Sequence, residues 1–122
     1  MEVQVVSPER ILYTGEANFV LARTRGGGDI AFLTNHAPFI GALDIHQVVV
    51  RPADSGEVVV AVHGGFVEVS SDRVTILSDV AELPDQVDRA RAEAARERAR
   101  AADDPAALRR AELRLEVARN RG

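Results

Sequence analysis

Up to residue 84 the chain is a series of short apolar runs, each broken by turn-forming residues before it can become a helix. Val3-Gln4-Val5-Val6 ends at Ser7-Pro8, and Arg10-Ile11-Leu12-Tyr13 ends at Gly15. Asn18-Phe19-Val20-Leu21-Ala22 runs into Arg25-Gly26-Gly27-Gly28-Asp29, and Ile30-Ala31-Phe32-Leu33 follows. Ile45 to Val50 closes at Pro52-Ala53-Asp54-Ser55-Gly56, and Val58 to Val62 reaches Gly64-Gly65. Phe66-Val67-Glu68-Val69 turns at Ser70-Ser71-Asp72, and Val74-Thr75-Ile76-Leu77 ends the series. Short strands punctuated about every eight to twelve residues predict an antiparallel β-sandwich or barrel. No helical stretch intervenes to supply the crossovers of a parallel sheet.

At Pro84 the pattern changes. Residues 1–84 carry 5 Arg against 11 acidic residues, and residues 85–122 carry 10 Arg against 8. Val and Gly give way to Ala and Arg, so we place a domain boundary there: a β domain over 1–84 and a helical one over 85–122. Pro84-Asp85 offers a break and a cap, with Asp85 and Asp88 favourable beside the first turn. A helix then runs through Ala90 to about Ala102. Asp103-Asp104-Pro105 stops it and starts a second, with Asp104 as cap and Pro105 at the first helical position. Ala92, Ala95, Ala99 and Ala102 share one face of the first helix, and Leu108, Ala111, Leu115 and Ala118 one face of the second. The tight link predicts an antiparallel hairpin. Its faces are mostly Ala, which contributes little on burial, so we expect helices that form readily and dock marginally. A marginally docked element can move.

The composition excludes several chemistries. Apolar residues make up 46% of the chain and aromatics 4%, so the core must be aliphatic. Without cysteine there are no disulfides, thiolate metal sites or cysteine nucleophiles. Without lysine there is no phosphate-loop lysine, so Gly26-Gly27-Gly28 reads as a hairpin turn. His63-Gly64-Gly65 lacks an accompanying Gly-x-Ser-x-Gly elbow and reads as a strand-end turn. His36, His46 and His63 have no ligand spacing, and Glu9, Asp44 and Glu68 form no acid–base pair, so neither metal nor catalytic residues are assigned. Acids interleave with the arginines of the helices and no aromatics accompany them, which argues against nucleic acid. No apolar run is long enough for a membrane helix, and Met1-Glu2-Val3-Gln4 has no signal-peptide core; the expectation is a soluble chain able to dock on a membrane complex.

Five segments, in order, resemble the epsilon subunits of F-type ATP synthases. They are Ser7 to Ala17; Gly28-Asp29-Ile30-Ala31-Phe32-Leu33-Thr34-Asn35-His36-Ala37-Pro38-Phe39-Ile40; His63 to Val69; Val74 to Asp79; and Val87-Asp88-Arg89-Ala90-Arg91-Ala92. The resemblance implies a non-catalytic central-stalk subunit on the cytoplasmic side of the cell membrane, coupling ion flow to ATP synthesis. It implies three partners. The loop at Gly28 and Asp29 would face the c-subunit ring, and His36, Ala37 and Pro38 would face the gamma subunit. The hairpin, through Arg109, Arg110 and Arg114, would reach the catalytic alpha and beta subunits and inhibit ATP hydrolysis. The family's regulatory ATP site would map to Glu82, Val87, Asp88, Arg91, Ala92, Arg98 and Arg121. Val87 replaces the usual Ile or Leu, Val117 stands where a second nucleotide-contacting arginine is found, and Ala31 replaces Gly. The expectation is therefore weak ATP binding or none, and no required cofactor. The alternative is a free-standing nucleotide-sensing module on the same architecture.

Overall fold

The computed structural model describes residues 1–119. Seven strands come first: β1 (Glu2–Val6), β2 (Ile11–Thr24), β3 (Gly28–Leu33), β4 (Phe39–Pro52), β5 (Val58–Ser70), β6 (Arg73–Leu77) and β7 (Ala81–Glu82). A 3-10 turn over Pro84–Gln86 leads to helices α1 (Arg89–Ala101) and α2 (Pro105–Ala118). The strand order is β1-β6-β5-β4-β2-β3, β1 pairs again with β2, and β7 pairs with β5. The sheet thereby folds back on itself as a two-layered, barrel-like sandwich. All pairings are antiparallel except β1–β6, which is parallel and joins the two ends of the domain's sequence.

Three strands are longer than the punctuation predicts, among them β4, which begins at Phe39 rather than near Ile45. β2 runs unbroken through Gly15, and β5 runs unbroken through Gly64-Gly65. The two glycines do not end a strand; they bend one. Gly64 has φ 83° and Gly65 has φ 124°, and a Cβ on Gly65 would collide with the Leu77 carbonyl oxygen. Only glycine permits that approach. The bend lets one strand serve both layers, a device with no local signal distinguishing it from a turn. Gly26-Gly27-Gly28 does make the predicted β2–β3 turn, with Gly26 at φ 78° and Gly28 at φ 74°.

The core between the layers is aliphatic, as composition required. Val3, Val5, Val20, Phe32, Leu43, Val48, Val50, Val60, Val62, Val67, Val74 and Ile76 are all essentially inaccessible. Beyond the bend β5 alternates, with Phe66, Glu68 and Ser70 outward and Val67 and Val69 inward. Before the bend it does not: Val59, Val60, Ala61 and Val62 are all buried. A strand buried on both faces has a second layer over it. Val60 and Val62 face the sandwich core, and Val59 and Ala61 join Val49 beneath α2.

The helices start and stop for identifiable reasons. Asp104 caps α2, its carboxylate accepting from the Ala107 amide at 3.1 Å, with Pro105 in the first turn. The first helix begins later than expected. Asp88, not Asp85, is its cap, accepting from the Arg91 amide at 3.1 Å. The Gln86 side chain accepts from the Leu83 amide at 2.8 Å and Val87 is extended, so residues 84–87 form a separate turn. Asp103 takes the left-handed conformation (φ 51°) that reverses the chain between the helices.

Candidate functional site

Two surfaces carry functional potential: the seam where the hairpin lies on the sandwich, and an apolar face on the opposite part of the sheet. At the seam, α2 has two buried faces where the sequence suggests one. Ala111, Leu115 and Ala118 lie on the predicted stripe and serve the helix pair, and Ala92 and Ala99 are buried on α1. Leu113 and Val117 form the second face and pack against Val49, Val59 and Ala61, with Leu21 and Ile45 at the margin. The consecutive Val48-Val49-Val50 and Val58 to Val62 runs were the sequence signal for this cover.

Polar contacts flank the apolar seam. Arg114 Nε donates to Glu82 Oε1 at 2.7 Å, and the same oxygen lies 3.0 Å from His63 Nε2. The His63 side chain is 2% exposed, so Glu82 joins a buried ring of β5 to a guanidinium of α2. Burial alone would raise the Glu82 carboxyl; the hydrogen bonds from His63 and Arg114 outweigh it and hold it below the usual carboxylate range. On the other flank, Arg109 Nε donates to the Ile45 carbonyl at 3.1 Å, and its Nη2 lies 2.7 Å from His46 Nδ1. That carbonyl is reachable because β4 bulges: between Leu21↔Val49 and Thr24↔Leu43 the register advances three residues on β2 against six on β4.

A cleft of about 410 Å³ opens beside the first of these contacts, lined by Glu82, Gln86, Asp88, Arg91, Ala92, Ala95, Arg98 and Arg114. It gathers Glu82, Asp88, Arg91, Ala92 and Arg98 from the set proposed on sequence. Val87 is buried outside that lining, and Arg121 lies outside the described residues. Arg114, assigned on sequence to the catalytic subunits, here turns inward to Glu82, and Arg109 to β4. Arg110 is half-buried beside Arg98 and Arg114 in an adjoining cavity. Val117 is fully buried in the seam and presents no group to the cleft. Gln86 and Ala95 were missed on sequence; they have no motif and enter through the turn and the helix repeat.

The apolar face is a register effect. Ile11 pairs with Val6, Val6 with Leu77, Leu77 with Phe66 and Phe66 with Ala42, so one row crosses five strands. Paired residues project to the same side of a sheet. This side is the outer one, since the alternate positions Val5, Ile76 and Val67 are buried. Ile11 is 58% exposed, Phe66 57% and Leu77 46%. Beside the row, Ser7, Pro8, Gly64, Gly65, Ser78 and Asp79 border a groove of about 500 Å³. Ile40, 72% exposed, extends the apolar character toward the His36-Ala37-Pro38 loop, two residues away. In that loop His36 stacks edge-on against Phe32, with centroids 5.0 Å apart, while Ala37 and Pro38 are exposed. At the β2–β3 turn, Asp29 is exposed and accepts from Arg23 Nε at 2.8 Å. That bond raises the arginine's pKa and lowers the aspartate's. Among the described residues no group of His, Asp and Glu is arranged to hold a metal ion, and no helix is long and apolar enough to cross a membrane.

Comparison with known proteins agrees with this architecture. The family model for the ATP synthase delta/epsilon chain β-sandwich domain matches residues 1–84. The ATP synthase epsilon chain of Streptomyces griseus is 42% identical over 115 residues, covering 94% of this chain and 92% of that one. That of Thermobifida fusca is 44% identical over 123 residues, covering 98% and 86%. Among solved structures, a chain in the OSCP/F1/c-ring of the Euglena gracilis mitochondrial ATP synthase shares the fold with a TM-score of 0.72. Its identity is 22%, and the match covers 94% of this chain and 74% of that one. A model matching most of the chain, and relatives this similar along nearly its whole length, establish that the chain belongs to the ATP synthase epsilon-chain family of non-catalytic subunits.

Proposed function

We propose that this subunit sits in the central stalk of an F-type ATP synthase, joined to the gamma subunit through its outer apolar face and to the c-subunit ring through the β2–β3 turn. The carrying observation is the exposed row of Ile11, Leu77 and Phe66, continued by Ile40. Apolar side chains contiguous across five strands mark a protein-docking face. The partner is gamma because Ile40 leads directly from Ala37 and Pro38, the segment that resembles the gamma-facing loop of the family. Gly28 and the paired Asp29–Arg23 would meet the ring. On this reading the chain sits peripherally on the cytoplasmic side of the cell membrane, where it transmits torque and keeps ion flow coupled to ATP synthesis.

The hairpin is the regulatory part. In the docked form its arginines are engaged with β4 and Glu82. Undocked, Arg109, Arg110 and Arg114 would be free to meet acidic surfaces of the alpha and beta subunits and inhibit hydrolysis. The seam supports exchange because, among the described residues of the hairpin, only Leu113 and Val117 join the apolar cluster against the sheet.

ATP as a regulatory ligand would occupy the cleft at Glu82, Asp88, Arg91 and Arg98, and the fit is poor. Val117, standing where the family carries a nucleotide-contacting arginine, is buried in the seam and presents no guanidinium, and Arg114 is already committed to Glu82. Weak binding or none follows, which also disfavours a free-standing nucleotide sensor. The docking reading is tested by introducing Phe66→Glu or Leu77→Glu, one at a time because the two positions are cross-strand partners, into the full chain and measuring binding to purified gamma. Both side chains are largely exposed, so the fold should survive. The expected result is loss of gamma binding with unchanged thermal stability; unchanged binding would overturn the assignment of this face.

A further inference from the structure

We infer that His46 and Arg109 form a proton-sensitive latch that holds the hairpin on the sandwich when the imidazole is neutral and releases it when the imidazole is protonated. The geometry fixes the protonation state. A guanidinium has donors and no acceptor, so a nitrogen 2.7 Å from Arg109 Nη2 must accept. His46 Nδ1 therefore carries the lone pair, and the ring proton sits on Nε2. Protonation turns Nδ1 into a donor facing a donor and sets two cations in contact. The Arg109 Nε bond to the Ile45 carbonyl belongs to the same guanidinium, so it is strained by the same event.

The surrounding charges come from three further elements. Arg23 of β2 and Arg109 of α2 oppose protonation of His46, while Asp29 of β3 and Glu116 of α2 favour it. Arg23 and Asp29 are bound to each other, and Arg109 is 3.7 Å from Glu116, so these charges largely offset in pairs. What remains is partial burial of the ring, first among the causes, and the direct contact with Arg109; the net effect lowers the His46 pKa. The sign follows. A base with a lower pKa docked than undocked binds more protons undocked, so docking is fully favoured above its ordinary value of about 6.5 and weakens as pH falls through it. The loss is at most about tenfold in the docking equilibrium per pH unit. The bulge in β4 is what makes the latch possible, since it frees both the carbonyl and the ring from the β2 ladder. What the released hairpin reaches rests on the stalk reading; the latch itself does not, because it is measured in the isolated chain.

The chain has no cysteine, so Ser55→Cys and Ala101→Cys, both exposed, give a clean pair of spin-label sites on sandwich and hairpin. Distances between the labels are measured in the full chain from about pH 8 to about pH 5.5. The expected result is one docked distance at the upper end and growth of a second population as pH falls. In His46→Asn, whose amide oxygen can accept from Arg109 without titrating, the docked distance should persist throughout. Nitrogen chemical shifts of the His46 ring should show an unprotonated Nδ1 in the docked form. A docked population that does not change with pH overturns the latch. So does the same pH curve in His46→Asn, which would assign the effect to another group.

Discussion

Truncating Leu113 to alanine separates two ways in which the hairpin can be held. Leu113 is fully buried on the second face of α2, against Val49, Val59 and Ala61. The substitution removes three carbons, or about 2.4 kcal/mol at roughly 0.8 kcal/mol per buried methylene. A residual cavity adds to that, so a loss of about 3 kcal/mol is expected, within the range of about 2–5 kcal/mol for such changes. The loss should fall on docking, because none of those atoms belongs to the core between the layers. At about 1.4 kcal/mol per factor of ten, the docked-to-undocked ratio falls roughly a hundredfold. Native-state hydrogen exchange reads this by region. Amides of α2 should lose about two orders of magnitude of protection, while those of β5 and β6 around Val67 and Ile76 should keep theirs. Equal loss in both regions would refute the reasoning, because sandwich and hairpin would then unfold as one unit.

Other substitutions test separate links. Gly65→Ala should abolish stable folding or cost more than about 4 kcal/mol, because its Cβ would meet the Leu77 carbonyl, while Gly26→Ala, in open space, should cost about 1–2 kcal/mol; thermal unfolding of the two decides it. Asp104→Ala should cost about 1 kcal/mol in denaturant unfolding by removing the α2 cap, and an unchanged midpoint would dismiss the cap. Glu82 is held below the usual carboxylate range when docked, so its contribution is present above about pH 4.5 and lost as pH falls further; Glu82→Gln should weaken docking at neutral pH and remove that acid limb from a docking titration. Calorimetric titration with ATP should show no saturation in the micromolar range, and clear micromolar saturation would refute the weak-site reading.

Legibility in the sequence tracked how local each cause is. The Gly26–Gly28 turn, the Asp104-Pro105 helix start and the hairpin were readable because a few adjacent residues determine each. Gly64-Gly65 reads as a turn in the sequence because positive φ serves turns and bends alike, and only the approach to Leu77 distinguishes them. The parallel β1–β6 pair closes residues about 70 apart and has no short-range signature. Leu113 and Val117 were overlooked as a face because the stripe through Leu115 alone satisfies the helical period. Five of the seven residues proposed on sequence for the ATP site do line one cleft, but the ion pair that occupies Arg114 joins positions 32 apart and was invisible. The His46–Arg109 contact, 63 apart, depends on a bulge no motif announces.

The central claim is that this chain is a coupling and regulatory subunit of the central stalk, and reconstitution tests it most directly. The full chain and a form ending before residue 85 would each be added to an F-type complex stripped of its epsilon subunit. ATP hydrolysis and ATP-driven ion pumping would then be measured together. The account predicts that both forms bind through gamma and restore pumping per ATP hydrolysed, and that hydrolysis is faster with the truncated form. A full chain that neither binds nor changes either activity would contradict it.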